Sequence, residues 1–316
     1  MVESAKVYVH AAAALAPPSV DEHGPLRVDT DTDLRALTKR VLGQGLRQGS
    51  HFVELAAIGA RQCLDRLGRA PASDMAVYFA TALGELRKTE SLFRQVLPPG
   101  PGMASPFDFI NATANMASFY VARLASVSAR NLTITQGAMS FESALQLAID
   151  DLRAGAVPTA LVGGVDENIF PRAEYVRRWP LRDDEIMGEG SAWLYLTSEA
   201  AGAIAELLSV RLLAPAAQPS LAWAGAVAEV LAVASGPVTL MCGSGVSETE
   251  REALASVLPS AQWQSYVEYC GSYPTASAFG LVSGLRPSTP GAWAHINRDV
   301  DGGTALMTWR VLNRGA

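Results

Sequence analysis

Side chains able to perform nucleophilic or acid–base chemistry are few in this sequence, with three cysteines and four histidines in 316 residues. Cys63, Cys242 and Cys270 show no CxxC spacing, so they indicate neither a disulfide framework nor a zinc site. Cys242 stands on a glycine-rich turn and is a candidate nucleophile, but it lacks a base, and a buried, unreactive thiol is the alternative. His51 is interpreted as a surface or packing residue in the first turn of a helix.

A strand, a tight turn, a helix and a second strand are predicted between residues 131 and 167. A β-prone run stops at Gly137, and from Ser140 onward apolar residues recur at helical spacing until Gly155. Residues 160–162 then form a short, wholly apolar strand. Such a βαβ unit predicts a parallel sheet that is buried on both faces.

This stretch resembles the nucleophile region of β-ketoacyl synthases in the thiolase superfamily, where a strand ends in a pattern like T-A-C-x-S before a buried helix. In that family the cysteine lies at the helix N-terminus, where the helix dipole and free N–H groups favour a thiolate. An ungapped match over residues 131–145 puts Ala138, which has no nucleophilic atom, on the nucleophile position. In chain length factors a Gln commonly replaces this cysteine, but placing Gln136 there requires a two-residue gap.

Two later segments resemble those that carry the family's catalytic histidines. After a predicted strand at residues 238–241, the match puts the first histidine on Cys242. In the segment 268–285 the second histidine falls on Ser272, and Glu268 lies near the place of the family's lysine.

Two glycine motifs of the family are retained. Gly188-Glu189-Gly190 resembles the signature G-E-G-A, and Gly302-Gly303-Thr304 resembles part of G-F-G-G-T-N. In the second motif the gating phenylalanine becomes Asp301 and the asparagine becomes Ala305.

The resemblance therefore implies a condensing-enzyme frame without its reactive groups. Decarboxylative condensation needs a thiolate and two imidazoles, and the three corresponding positions are Ala138, Cys242 and Ser272. The four histidines lie outside both motifs: His10, His23, His51 and His295. We expect no ordinary condensing activity.

Composition narrows the class of protein. The chain is 49% hydrophobic and 18% charged, with a net charge of −6, which argues against partners such as nucleic acid or an anionic membrane. No apolar run approaches the roughly 20 residues that cross a bilayer. The alanine run at residues 11–16 is too weak for a signal peptide, so we expect a cytoplasmic protein. We expect no metal and no cofactor.

The resemblance implies an α/β, thiolase-like fold, in which two fused βαβ-rich halves form five layers, αβαβα. We predict an N-terminal half at residues 1–205 and a shortened C-terminal half at residues 206–316. A Pro-, Gly- and Asp-rich loop is predicted at residues 17–33, and the join between the halves at residues 200–220.

The resulting hypothesis is a chain-length-factor-type subunit, of the kind associated with type II polyketide, aryl polyene or fatty-acid-like synthesis. By the resemblance, it pairs with an active β-ketoacyl synthase through the helix at residues 117–125 and the strand at residues 131–136. The loop at residues 107–113 would help to close the partner's acyl tunnel. The candidates for the tunnel and interface are Phe107, Phe109, Met116, Phe119, Gln136 and Met139.

Two other functions stay open. One is a self-sufficient malonyl decarboxylase or acyltransferase that uses Cys242 or Gln136, and the other is a homodimeric scaffold. An acyl carrier protein is a further candidate partner, because Arg172, Arg177 and Arg178 form a basic cluster that suits an acidic protein, although an ordinary solvated face is the alternative.

Overall fold

The structure is a computed structural model, and it describes residues 5–16, 33–46, 49–100, 102–169, 172–179, 181, 185–215, 223, 225–228, 238–285 and 291–312. The loop predicted at residues 17–33 lies, apart from Asp33, outside the described residues. The predicted join at residues 200–220 is described as far as residue 215.

The described residues form ten strands. Their bounds are β1 Val7–Leu15, β2 Ala76–Ala80, β3 Asn131–Ile134, β4 Thr159–Asp166, β5 Gly190–Thr197, β6 Ala205–Leu213, β7 Val238–Cys242, β8 Gln262–Trp263, β9 Gly291–Arg298 and β10 Thr304–Val311.

The helices of the described part that have assigned bounds are numbered in chain order. They are α1 Leu34–Leu42, α2 His51–Arg66, α3 Leu86–Val96, α4 Pro106–Asn111, α5 Met116–Ala125, α6 Ser140–Arg153, α7 Arg172–Tyr175, α8 Glu248–Val257, α9 Val267–Cys270 and α10 Ala276–Ser283. None of the helices in this part of the chain is long and apolar enough to cross a membrane.

The ten strands consist of two sets of five with the same order and directions. The first set lies in the order β3-β2-β4-β5-β1 and the second in the order β8-β7-β9-β10-β6. In the first set β2 is parallel to its neighbours β3 and β4, and β5 is antiparallel to its neighbours β4 and β1. In the second set β7 is likewise parallel to β8 and β9, and β10 is antiparallel to β9 and β6. The two sets join where β1 and β6 pair antiparallel. The sheet is therefore mixed, and the expectation of parallel strands holds only around β2 and β7.

Helices α6 and α10 form the middle layer between the two sets of strands. Helix α6 packs against β2 and β4 of the first set and against β6 and β10 of the second, while α10 packs against β1, β4, β5 and β9. Helix α2 covers the outer face of β1 and β5, and Trp223, Val227 and Leu254 cover the outer face of β7 and β9. These layers confirm the predicted αβαβα arrangement. The division at residue 205 stays a prediction.

Close packing of the first sheet depends on one glycine. A side chain on Gly163 of β4 would place its Cβ 2.1 Å from the ring of Trp193 on the neighbouring strand β5. The absence of a side chain lets the indole lie flat on the strand and fill the outer core with Phe79 and Phe52. This core supports β4 and the turn in front of α6, where the candidate site lies.

Serine side chains cap the N-termini of α2 and α8. The Ser50 hydroxyl accepts a hydrogen bond from the Val53 N–H and so caps α2. Ser247 and Glu250 form a reciprocal capping box at the start of α8. Strand β3 ends at Ile134, two residues earlier than predicted, because Gln136 already belongs to the turn before α6.

Candidate functional site

Ala138 lies in the tight turn that joins β3 to α6. Gly137 has a φ of +54°, a left-handed conformation that favours glycine, and Ser140 opens the helix two residues after Ala138. The Ser140 hydroxyl donates to the Gly137 carbonyl and accepts from the Gln136 N–H. This turn presents residue 138 at the start of a buried helix, and the side chain presented there is a methyl group.

The backbone of Ala138 is held from across the molecule. Its N–H donates to Asp299 Oδ2 at 3.2 Å, and its carbonyl accepts from Asn297 Nδ2 at 2.7 Å. Asn297 also donates to Glu142 Oε1 at 3.0 Å. A Cβ on Gly137 would lie 2.4 Å from Asp299, so the segment after β9 closes directly on this turn.

Two serines meet opposite Ala138. Ser272 and Ser244 lie with their hydroxyl oxygens 2.6 Å apart. The backbone of Ser272 is fixed by Ile186, whose carbonyl accepts from its N–H, and by Gly188, whose N–H donates to its carbonyl. The retained glycine motif thus passes beneath Ser272, where a side chain on Gly188 would place a Cβ 2.1 Å from the Cys270 carbonyl. Only glycine fits at position 188, because any side chain would collide with the backbone of Cys270.

Cys242 is buried, as the alternative of an unreactive thiol predicts. Its side chain does not line the cavity beside Ala138 but packs in the outer core with Leu240 and Ile296. Successive side chains of a strand point to opposite faces, so Leu240 and Cys242 share one face, while Met241 belongs to the central core. The side chain that faces Ser272 is Ser244, two residues further along the chain.

The space between these residues is very small. A cavity of about 20 Å³ is bordered by Ala138, Ser244, Ser272, Tyr266 and Asn297, among others. A water molecule needs roughly 10–15 Å³ of such volume. The cavity as it stands has room for about one water and none for an acyl chain.

The histidine nearest to this cavity is neutral. His295 on β9 is fully buried, and its Nε2 lies 2.9 Å from the Tyr266 hydroxyl. Burial lowers the pKa of His295 to about 3, because the charged imidazolium would lose its hydration. At neutral pH this side chain therefore does not hold an extra proton.

A carboxyl group occupies the helix behind Ala138. Glu142 is fully buried and accepts a hydrogen bond from Asn297. Burial raises the pKa of Glu142 to about 7, and hydrogen bonds from its surroundings offset only part of this effect. Sequence reasoning missed this group and its partner Asn297, which lie 155 residues apart.

The predicted tunnel and interface residues divide into three sets. Phe107 and Phe109 on α4 and Phe119 on α5 are exposed, Met116 is half-buried, and Gln136 is exposed with its Oε1 accepting from Ser143. Met139 is buried, and its methyl group lies against Gly303. The structure thus brings the three phenylalanines to the surface and places Met139 inside the chain.

The exposed phenylalanines belong to a larger apolar face. Most large apolar side chains exposed in the described part of the chain lie between Phe93 and Leu132, on α3, α4, α5, β3 and the loops between them. Helices α3 and α4 bury none of their own residues fully. Among the described residues, strand β3 ends the sheet and pairs with β2 alone, so its other edge has no described strand beside it.

The basic cluster is only partly described. Arg177 is exposed and pairs with Glu174 at 3.1 Å, and the side chain of Arg172 lies outside the described residues. In the described part of the chain, no group of three or more His, Cys, Asp or Glu side chains is arranged to hold a metal ion.

The family is shown by the sequence itself. The profile described as "Beta-ketoacyl synthase, N-terminal domain" matches residues 14–177, more than half of the chain. The chain therefore belongs to the β-ketoacyl synthase family. No curated protein sequence matches it.

Solved structures of similar fold include two that span the same length. The ishigamide ketosynthase/chain length factor aligns with a TM-score of 0.77 at 19% identity over 98% of this chain and 100% of that chain. A chain of AntDE:AntF, a type II PKS acyl-carrier protein in complex with its ketosynthase bound to the hexaketide, gives 0.74 at 14% identity over 98% and 100%. The PfaC keto synthase–chain length factor gives 0.71 at 13% over 99% of this chain and 44% of its own. These likenesses concern the fold.

Proposed function

We propose that this chain is a non-catalytic, chain-length-factor-type subunit that pairs with an active β-ketoacyl synthase. The observation that carries the proposal is the exposed apolar face beside the free edge of β3. Exposed apolar patches of this kind mark surfaces that a partner covers. A partner strand laid along β3 would continue the sheet across both subunits, and α5 would pack beside it.

Loss of catalysis is supported by the geometry around Ala138. The residue that the sequence match aligns with the nucleophile, Ala138, carries a methyl group, Ser244 and Ser272 lie opposite it, and the cavity between them measures about 20 Å³. Condensation needs a thiolate and proton-transferring groups of suitable pKa, and these side chains provide neither. The chain then contributes to synthesis through its surface.

The proposed contribution is to limit the length of the product. Phe107 and Phe109 on α4, with Phe119 and Met116 on α5, would border the acyl tunnel of the partner, and Gln136 lies at the adjoining edge. Each added two-carbon unit must fit a closed apolar cavity, so the depth of this wall limits the chain made. The product class is a polyketide, an aryl polyene or a related fatty-acid-like chain, and we place the complex in the cytoplasm, where an acyl carrier protein delivers the substrates.

Product length in a reconstituted heterodimer tests this role. We expect Phe107→Ala and Phe109→Ala to lengthen the main product by one or more two-carbon units, because each removes a ring from the tunnel wall. Val257→Ala, an exposed apolar position on α8, is the matched control and leaves the length unchanged. Unchanged lengths in both phenylalanine variants, with pairing intact, would remove the tunnel role.

A further inference from the structure

A second and much larger cleft lies on the N-terminal half, away from Ala138. It has a volume of about 680 Å³ and opens between the starts of α1 and α2, the first turns of α3, and α4. Three side chains of its lining carry the argument: Glu54 on α2, Glu85 at the N-cap of α3, and Phe107 on α4. We call this space the α1–α4 cleft.

Glu85 is the lining residue with an unpaired buried oxygen. The residue is only 2% exposed. Its Oε2 accepts a hydrogen bond from the Ser50 hydroxyl, while its Oε1 is buried without a hydrogen-bond partner among the described residues. A buried carboxylate oxygen left unpaired costs free energy, and native proteins rarely leave one so unless a ligand or water supplies the donor.

Glu54 is the second glutamate that lines the cleft. It lies one turn after Ser50 on the same helix and is 5% exposed. Arg35 and His51 act electrostatically on its carboxylate. Two nearly buried carboxylates from two different helices thus line one cleft.

The cations beside the cleft are already engaged with other acids. Arg87 Nε pairs with Glu167 at 3.0 Å, Lys88 pairs with Asp108 at 3.3 Å, and His51 Nε2 lies 2.7 Å from Glu189. The closest contacts of these three groups are therefore to other carboxylates, while Lys88 and His51 also act electrostatically on Glu85. Arg35, which also lines the cleft, acts electrostatically on Glu54 and has no comparable effect on Glu85.

The shape of the cleft indicates the kind of cation. The described side chains do not gather three ligands for a metal ion, and the space is many times larger than an ion needs. Phe107, 62% exposed at the rim, offers an apolar ring to a hydrocarbon chain. We propose that the α1–α4 cleft binds an organic cation, a guanidinium or primary ammonium group on a short chain, whose N–H donors pair with Glu85 and Glu54.

The same chemistry has two sources, a free amine-type ligand or a basic side chain of a partner. Phe107 belongs both to the rim of the cleft and to the exposed apolar face, so a subunit covering that face would pass beside the cleft. The cation site itself does not depend on the proposed pairing.

Titration of the isolated full chain with n-butylguanidinium tests the site. We expect a Kd of about 1 mM or tighter, and at least tenfold weaker binding of n-butylurea, its neutral isostere. Glu85→Gln and Glu54→Gln, two variants of nearly unchanged shape, should each weaken n-butylguanidinium binding at least tenfold. Glu90→Gln makes the same charge change on the exposed side of α3 and should leave binding unchanged.

Three results would overturn the site: no saturable binding up to roughly 10 mM ligand, equal binding of n-butylurea, or wild-type affinity in both folded cleft variants. The same titration on a heterodimer with a ketosynthase then identifies the source. Retained binding assigns the cleft to a free ligand, and lost binding assigns it to a basic side chain of the partner. If no ketosynthase pairs with the chain, the proposed function fails while the titration of the isolated chain still decides the cation site.

Discussion

Ser244 and Ser272 face each other with 2.6 Å between their hydroxyl oxygens, and one stands after β7 while the other follows the short helix α9. Two elements that are distant in sequence therefore still converge opposite the turn at Ala138. The groups that they bring together are two serine hydroxyls, and neither is an imidazole. The cavity that they border together with Ala138 measures about 20 Å³.

A thiol placed at residue 138 should not by itself give catalysis. We expect Ala138→Cys to give no condensation and no decarboxylation of malonyl thioesters, because Ser244 and Ser272 cannot replace two imidazoles and the cavity measures about 20 Å³. Release of carbon dioxide and mass spectrometry of the protein measure the two steps. Turnover by Ala138→Cys above the wild-type background would show that the site is more complete than the geometry indicates.

The buried carboxyl of Glu142 should make stability depend on pH. Burial raises its pKa from an ordinary value of 4.5 to about 7, so between these values the folded state holds a proton that the unfolded state releases. The free energy of unfolding should therefore fall as the pH rises through this range and stay lower above it. Asp166 and Glu167, whose pKa values burial raises to about 6 and about 7, act in the same direction.

Denaturant unfolding at pH 5, 6, 7 and 8 measures this dependence. Glu142→Gln keeps an oxygen for Asn297 and removes the titration, so its stability should decline less steeply than that of the wild type. Glu252→Gln, on the exposed side of α8, is the control and should follow the wild type. A slope unchanged in Glu142→Gln would show that this carboxyl stays protonated or solvated throughout.

The native protein should resist thiol-specific reagents. All three cysteines are buried, and burial raises the pKa of Cys63 to about 12 and that of Cys270 well above its ordinary value. We expect little labelling before unfolding and three labels after it, counted by mass. Ser256→Cys on exposed α8 supplies a reactive control. Fast native labelling that disappears in Cys242→Ala would favour a relocated nucleophile.

Pairing should fail when a charge is placed on the apolar face. Phe119→Asp puts a carboxylate beside β3 and should weaken binding to a ketosynthase roughly tenfold to a hundredfold, since a desolvated, unpaired charge at an interface centre is costly. Val257→Asp is the matched control, because Val257 is 47% exposed and Phe119 is 46% exposed. Equal losses in the two variants would point to a general effect of charge on the chain.

The order of elements was predictable because it rests on local patterns. The apolar spacing after Ser140 specifies helix α6 through neighbouring residues, whereas the match of the nucleophile position to Ala138 stays a prediction. The match of a catalytic histidine to Cys242 stays a prediction; alternation along β7 puts Cys242 on the same face as Leu240, which belongs to the outer core. A sequence match compares residue types and does not take account of which face of the strand a side chain lies on.

Contacts between distant residues could not be foreseen. Glu142 meets Asn297 across 155 residues, and His51 meets Glu189 across 138. Nothing near either partner in the sequence specifies the other, because their meeting depends on how the two sets of strands enclose α6 and α10. The α1–α4 cleft likewise arises only when Glu54 and Glu85 are brought to one space by the packing of α2 and α3.

The most direct test of the account is the mass of the native complex. The chain is co-expressed with candidate active ketosynthases, purified through a tag on one subunit only, and weighed under native conditions. The account predicts a one-to-one heterodimer that survives purification and that Phe119→Asp disrupts. A stable homodimer of this chain that takes up no ketosynthase would contradict it, and would assign the apolar face to a second copy of the chain.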